Sequence, residues 1–479
     1  MSLDHIIVLM LENNSFDRLL GGLFRDRPDA NNPGGGIKGS ESTHANVDAT
    51  TGRRYSMVAT TTREVQDDPG HDLSDVLFQI AGPCLGFVTN FAQKYPASRD
   101  QDRQEIMSFY PDGYLSVLHP LAKNFTVCDR WFSSMPGPTW PNRCFVHTGT
   151  SLGFTDMKTL HFWDQTTLYD LLAAKQIDFR IYYTDMASTY ILVHQPDPSN
   201  LAPLRYFFQD ASGDEAKFPK YCFIDPGYFG KNASDQHPPH DVRRGEALIA
   251  KVYNALRSND KLWQRSLLVI TYDEHGGFYD HIDPATTIAP DARRDGSGFN
   301  FDKLGVRVPA ILVSPWLDQG VLTDTFDHTS LLKFVVEKFG LDHDLGARVD
   351  AAGTNTFGRH LRNTPRNTTN VLPRIPVPEF APARENVPLS EHQLALANMS
   401  QMLATQIADP SVRQSVLRRP LDSTPENVSQ VAIDQFEAFM LESAAQGAFQ
   451  KAKKPKRPAR AKKKPPAKAK KKSGTNRKK

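Results

Sequence analysis

HIIVLMLENN, residues 5–14, runs six apolar positions from Ile6 to Leu11 straight into Glu12, Asn13 and Asn14. SLLVITYDEHGG, residues 266–277, repeats the pattern and breaks on Asp273-Glu274. Both runs are continuous rather than alternating, which is the pattern of strands covered on both faces and so of a parallel sheet. Similar runs stand at FTVCD (125–129), DFRIYYT (178–184), YCFID (221–225) and VPAILVS (308–314). Helical periodicity falls between or after them, in TTLYDLLAAKQ (166–176), DVRRGEALIAKVYNAL (241–256) and FDHTSLLKFVVEKFG (326–340). This alternation predicts an α/β fold with a largely parallel central sheet flanked by helices.

Residues 1–365 are expected to form the main domain, with a polar, Gly-rich surface excursion at about 26–54. A C-terminal extension, 366–450, should add two helices. One opens at Ser390, and the other has Thr424 as N-cap and Pro425 at its first position. The Lys/Pro-rich tail, 451–479, reads as disordered. The net charge of +3 sums two unlike regions: the tail carries sixteen basic residues and no acid, leaving 41 basic against 54 acidic side chains before it. An acidic body with a basic tail suggests contact with an anionic membrane surface, or non-specific nucleic-acid binding, through 451–479. The four cysteines lack CxxC spacing and are expected to be reduced structural thiols. No stretch approaches the ~20 apolar residues of a membrane span, and Asp4 precedes the first run where a signal peptide carries positive charge. Cytoplasmic location is the default expectation, with peripheral membrane association or non-classical export left open.

Ligands of open α/β sheets bind beyond the carboxyl ends of strands, which is where Glu12-Asn13 and Asp273-Glu274 fall. Three carboxylates gathered there repel one another unless a cation sits among them. Oxygen donors throughout point to one hard divalent ion, calcium, magnesium or manganese ahead of zinc. SSMPGPTWPNRCFVHTGTS (133–151) offers a nucleophile: Thr139 precedes a helix that reads as opening at Pro141, where an anion is favoured. Of the fifteen histidines, His71 and His237 are the better candidates for holding phosphate oxygens or protonating a leaving alkoxide. His240 and His328 read as structural.

ENNSFDRLLGG, PGPTWPNRCFVHTGTS, NASDQHPPHDVRRGE and LLVITYDEHGGFYDHI together resemble the non-specific phospholipases C of plants and bacteria. These belong to a phosphoesterase family that includes bacterial acid phosphatases and is related to alkaline phosphatases. The resemblance spans about residues 4 to 340 and returns at LSEHQ. It implies a metal set of Glu12, Asn13, Thr139, Asp273 and Glu274, with Thr139 as nucleophile. It further implies that His237 is catalytic and that Asn13, His71 and His275 contact phosphate. One departure is visible: Asp225 stands where many relatives read Glu-Pro-Arg, which removes an arginine near the site.

The expected function is therefore a metal-dependent phosphoric ester hydrolase. In the phospholipase C form it would cleave a phospholipid to diacylglycerol and a phosphorylated head group through a phospho-threonine intermediate. An acid-phosphatase-type phosphomonoesterase would use the same residues. A non-catalytic protein binding anionic surfaces or nucleic acid through the basic tail is the alternative of another class.

Overall fold

The computed structural model describes residues 2–24, 44–157, 165–191, 197–351, 356–381, 387–418 and 424–450. Most of the expected Gly-rich excursion (25–43) and the whole basic tail (451–479) lie outside the described residues.

Eight strands form the central sheet: β1 (His5–Leu11), β2 (Thr126–Cys128), β3 (Phe179–Tyr183), β4 (Leu201–Pro203), β5 (Tyr221–Asp225), β6 (Ser266–Tyr272), β7 (Ala310–Val313) and β8 (Gly320–Leu322). Their order is β8-β2-β7-β6-β1-β5-β3-β4. All six predicted runs became strands. β7 alone is antiparallel to its neighbours β6 and β2, and every other pairing is parallel. The two strands absent from the sequence reading, β4 and β8, are three-residue edges. Every residue of β1 and β6 is buried, as a strand covered on both faces requires.

Seven helices matter for the site and its support: α1 (Thr139–Thr148), α2 (Leu168–Ala174), α3 (Val242–Arg257), α4 (His328–Phe339), α5 (Glu391–Thr405), α6 (Pro410–Leu417) and α7 (Pro425–Gln450). α5 begins at Ser390 with a capping box closed by Gln393. α7 begins at Pro425, where the Asn427 N–H donates to Thr424 Oγ1 at 3.4 Å. Between them lies a third helix, α6, where the sequence reading expected two in all, and the extension shares the core of the main body. Leu396, Leu403 and Phe436 are fully buried in the same apolar cluster as β1 and β6, and the rings of Phe436 and Tyr183 meet edge-on at 5.5 Å. All four cysteines are buried and unbridged. No described helix is long and apolar enough to cross a membrane.

Candidate active site at the carboxyl edge of the sheet

β1 and β6 are parallel neighbours with Leu11 opposite Tyr272. The next residues of each strand, Glu12-Asn13 and Asp273-Glu274, therefore leave the sheet side by side. Asp273 Oδ1 accepts from two backbone N–H groups, Glu274 at 2.7 Å and Asn13 at 3.3 Å, which ties the two exits together. Asn13 turns the chain in a left-handed conformation at φ 53°. Gly276, at φ 65°, passes so close that a Cβ there would stand 2.4 Å from the Asn13 carbonyl oxygen, so only glycine fits. Beyond the turn, Arg307 binds both Asp280 (3.1 Å) and Asp17 (2.8 Å), clamping the segments that follow the two strands.

The cation among these carboxylates is a side chain. Arg143 donates from Nη2 to Glu12 Oε1 at 3.0 Å, from Nε to Asp273 Oδ2 at 3.1 Å and from Nη1 to Asp225 Oδ1 at 3.3 Å. All four groups are fully buried. Arg143 sits one helical turn after Thr139, on the same face of α1. The helix starts at Thr139 itself, two residues before the predicted opening at Pro141. Asp225, read from the sequence as a departure that removes an arginine near the site, anchors Arg143 and also accepts from Ser188 Oγ at 2.7 Å and Tyr228 Oη at 2.9 Å.

One guanidinium cannot balance three carboxylates. Burial raises Glu12 to about 7 although Arg143 opposes the shift, and Asp235 and Glu274 add to it. Burial likewise lifts Asp273 well above the carboxylate range, and Asp225 upward. Glu274 goes the other way: burial would raise it, but His71 and His275 hold it below its usual value. Asn13 Oδ1 and Nδ2 and Glu274 Oε1 are buried without a hydrogen-bond partner. Such atoms need a ligand, and an amide oxygen with free carboxylate oxygens is a donor set that suits a hard divalent ion. Glu12, Asn13 and Glu274 thus fit a cation. Asp273 has both oxygens engaged by protein donors and stands behind them.

His71 and His237 come together, with ring centroids 6.0 Å apart. Each donates its Nδ1–H to a backbone carbonyl, His71 to Pro69 at 2.8 Å and His237 to Pro238 at 2.5 Å. Asp68, which the sequence reading passed over, completes a cluster with them in which one ligand atom from each lies within 4.8 Å of the others. Burial would lower His71, but Asp68 and Glu274 raise it to about 9, which favours its charged form in the metal-free protein.

His275 does not match its expected contact with phosphate. Its Nε2 meets Gln79 Oε1 at 2.8 Å and its Nδ1 lies 3.3 Å from Glu274 Oε2, so both nitrogens are occupied in bracing Glu274. His328 holds the Asp273 backbone carbonyl at 2.7 Å and His240 binds Asp235 at 2.7 Å, in line with structural roles. A further histidine reaches the site from the C-terminal extension: His392, near the start of α5, places Nδ1 2.7 Å from Glu12 Oε1.

The chain matches the model of the Phosphoesterase family over residues 3–342. Non-specific phospholipase C6 of Arabidopsis thaliana is 33% identical over 443 residues, covering 83% of this chain and 80% of the relative. Non-specific phospholipase C1 of the same plant is 33% identical over 431 residues, 83% of this chain and 79% of its own. Hemolytic phospholipase C of Pseudomonas aeruginosa is 29% identical over 302 residues, 50% of this chain and 40% of its own. Among solved structures, a protein of the alkaline phosphatase superfamily from Vibrio parahaemolyticus aligns at 10% identity over 73% of this chain and 70% of that one, with a TM-score of 0.32. The family match covers the strand-end carboxylates, Thr139, Arg143 and both paired histidines, and the chain belongs to the phosphoesterase family.

Proposed function

We propose that the protein is a metal-dependent phospholipase C, cleaving a phospholipid to diacylglycerol and a phosphorylated head group through a phospho-threonine intermediate. The observation that carries this is the coupling of Thr139 to the carboxylates through one helix turn. Arg143 is locked to Glu12, Asp225 and Asp273, so the first residue of the same helix is held in fixed relation to the strand ends. The phospholipase C relatives supply the substrate class.

A divalent ion held by Glu12, Asn13 and Glu274 would polarise the phosphoryl group and favour the Thr139 alkoxide; its oxygen donors favour calcium, magnesium or manganese over zinc. Thr139 Oγ1 forms a bond to phosphorus as the bond to the diacylglycerol oxygen breaks. His237 gives its proton to that leaving oxygen and takes one back from the water that releases the phosphoryl group. His71, positively charged, and Asn13 Nδ2 bind phosphate oxygens.

The test is a panel comparing a phosphatidylcholine-type diester, a phosphatidyl lipid without choline and a phosphomonoester. Turnover of the diesters, its near-complete loss in Thr139→Ala and its substantial retention in Thr139→Ser are expected. Turnover of the monoester alone would make the protein an acid-phosphatase-type enzyme. Near-normal turnover by Thr139→Ala would rule out the covalent intermediate.

A further inference from the structure

α5 is fixed at its start by the Ser390–Gln393 capping box, and Gln393 Nε2 donates to the Tyr228 carbonyl at 2.5 Å. Between these anchors His392 is only 2% exposed. Its ring lies 4.8 Å from that of Tyr228 and 6.4 Å, edge-on, from that of Trp140, the residue after Thr139. Neither ring nitrogen makes a directed hydrogen bond, although Nδ1 is 2.7 Å from Glu12 Oε1. A purely structural residue at this position would be apolar, since a buried polar atom without a directed partner costs about 1–3 kcal/mol.

Glu12 Oε1 is contacted from two sides, by Arg143 Nη2 at 3.0 Å and by His392 Nδ1 at 2.7 Å. Among the described residues no hydrogen bond reaches its Oε2. We propose that His392 is a positioning residue for the divalent cation. Arg143 bonds Oε1 of Glu12 and the close approach of His392 Nδ1 confines the same oxygen, leaving Oε2 for the cation, which makes the C-terminal extension part of the metal site. Residues behind a ligand orient it and set its basicity, and their loss typically weakens metal binding 10–100-fold. This rests on the metal-dependent reading above.

The experiment titrates Mn²⁺ into metal-depleted, full-length protein by calorimetry, with thermal melts of each variant. His392→Phe fills the space without a nitrogen and should keep the melting temperature while weakening Mn²⁺ binding 10–100-fold. His392→Asn keeps an N–H near the Nδ1 position and should bind within about threefold of wild type, a rescue that a packing role would not give. Should His392→Phe fail to fold, His392→Ala supplies the same comparison. Equal Mn²⁺ affinity in wild type and the Phe or Ala variant overturns the inference while leaving metal dependence intact. No saturable binding by wild type overturns metal dependence itself, and the inference falls with it.

Discussion

Replacing Arg143 by methionine removes the only protein cation bonded to Glu12, Asp225 and Asp273 among the described residues. The volume is roughly conserved, so the loss is mainly electrostatic. Stranding a buried charge by deleting its partner costs about 3–5 kcal/mol, and here the carboxylates can relieve part of that only by taking up protons. Glu12 is already raised to about 7 with the guanidinium beside it, and it must rise further in Arg143→Met. A carboxyl whose folded pKa exceeds its unfolded value weakens the fold as pH climbs between the two. The penalty should therefore be small at pH 5 and reach about 3–5 kcal/mol by pH 8. Urea unfolding of EDTA-treated protein, followed by circular dichroism at both pH values, measures it. The double variant Arg143→Met/Asp273→Asn should be less destabilised than the sum of the two singles, by about 0.5–3 kcal/mol. A penalty below about 1 kcal/mol and flat from pH 5 to 8 would refute the reasoning, because the carboxylates would then not depend on Arg143.

His71 should add pH-dependent stability to the metal-free protein. Its value rises from the ordinary 6.5 to about 9 on folding, so the wild-type advantage over His71→Gln should be full below pH 6.5 and vanish as pH passes 9, with a ceiling of about 3 kcal/mol; a gap that widens above pH 9 in urea unfolding contradicts it. The tail should act as an electrostatic tether, since the prolines at 455, 458, 465 and 466 discourage an inserted helix. Deleting 451–479 is expected to leave turnover of a soluble diester unchanged but to weaken binding to anionic vesicles, at ~1 kcal/mol per basic residue near the surface and fading with salt. Equal sedimentation with vesicles at low salt, with and without the tail, would leave it no membrane role.

The strands were legible because an apolar run bounded by polar residues needs no tertiary information to be read. What the runs do not encode is direction: nothing in VPAILVS distinguishes the antiparallel β7 from its parallel neighbours. β4 and β8 lacked a run altogether, one ending on Pro203 and the other starting at Gly320. In the site, Glu12, Asn13, Asp273 and Glu274 stood out as polar pairs terminating buried strands. Arg143 did not, since a lone arginine in a helix ordinarily marks a solvated face. Its neighbours gave no warning either: Thr139, Asn142, Arg143 and His147 fall at helical spacing as an ordinary polar stripe does, and only the structure shows that every residue of TWPNRCFVHT is buried. LSEHQ, where the resemblance returns, carried His392, but nothing in the sequence told of its contact with Glu12, near the start of the chain.

Arg143 also changes what a metal ion can do here. The sequence reading treated the crowded carboxylates as needing a cation for their own sake, which would leave a divalent ion surrounded by excess negative charge and poorly disposed toward a phosphate. With Arg143 bonded to Glu12, Asp225 and Asp273, part of their negative charge is offset before any metal binds, and the upward shifts of Glu12, Asp225 and Asp273 relieve more of it. A divalent ion would then add its charge to a group that is already partly relieved, which lowers the repulsion an incoming phosphate diester would meet. The buried atoms without a protein partner are the Asn13 amide and Glu274 Oε1, and with Glu12 they would make a small set that leaves coordination positions for substrate oxygens. The buried guanidinium would thus hold the carboxylates together without a metal, and on the metal-dependent reading it would leave the ion's charge to the substrate.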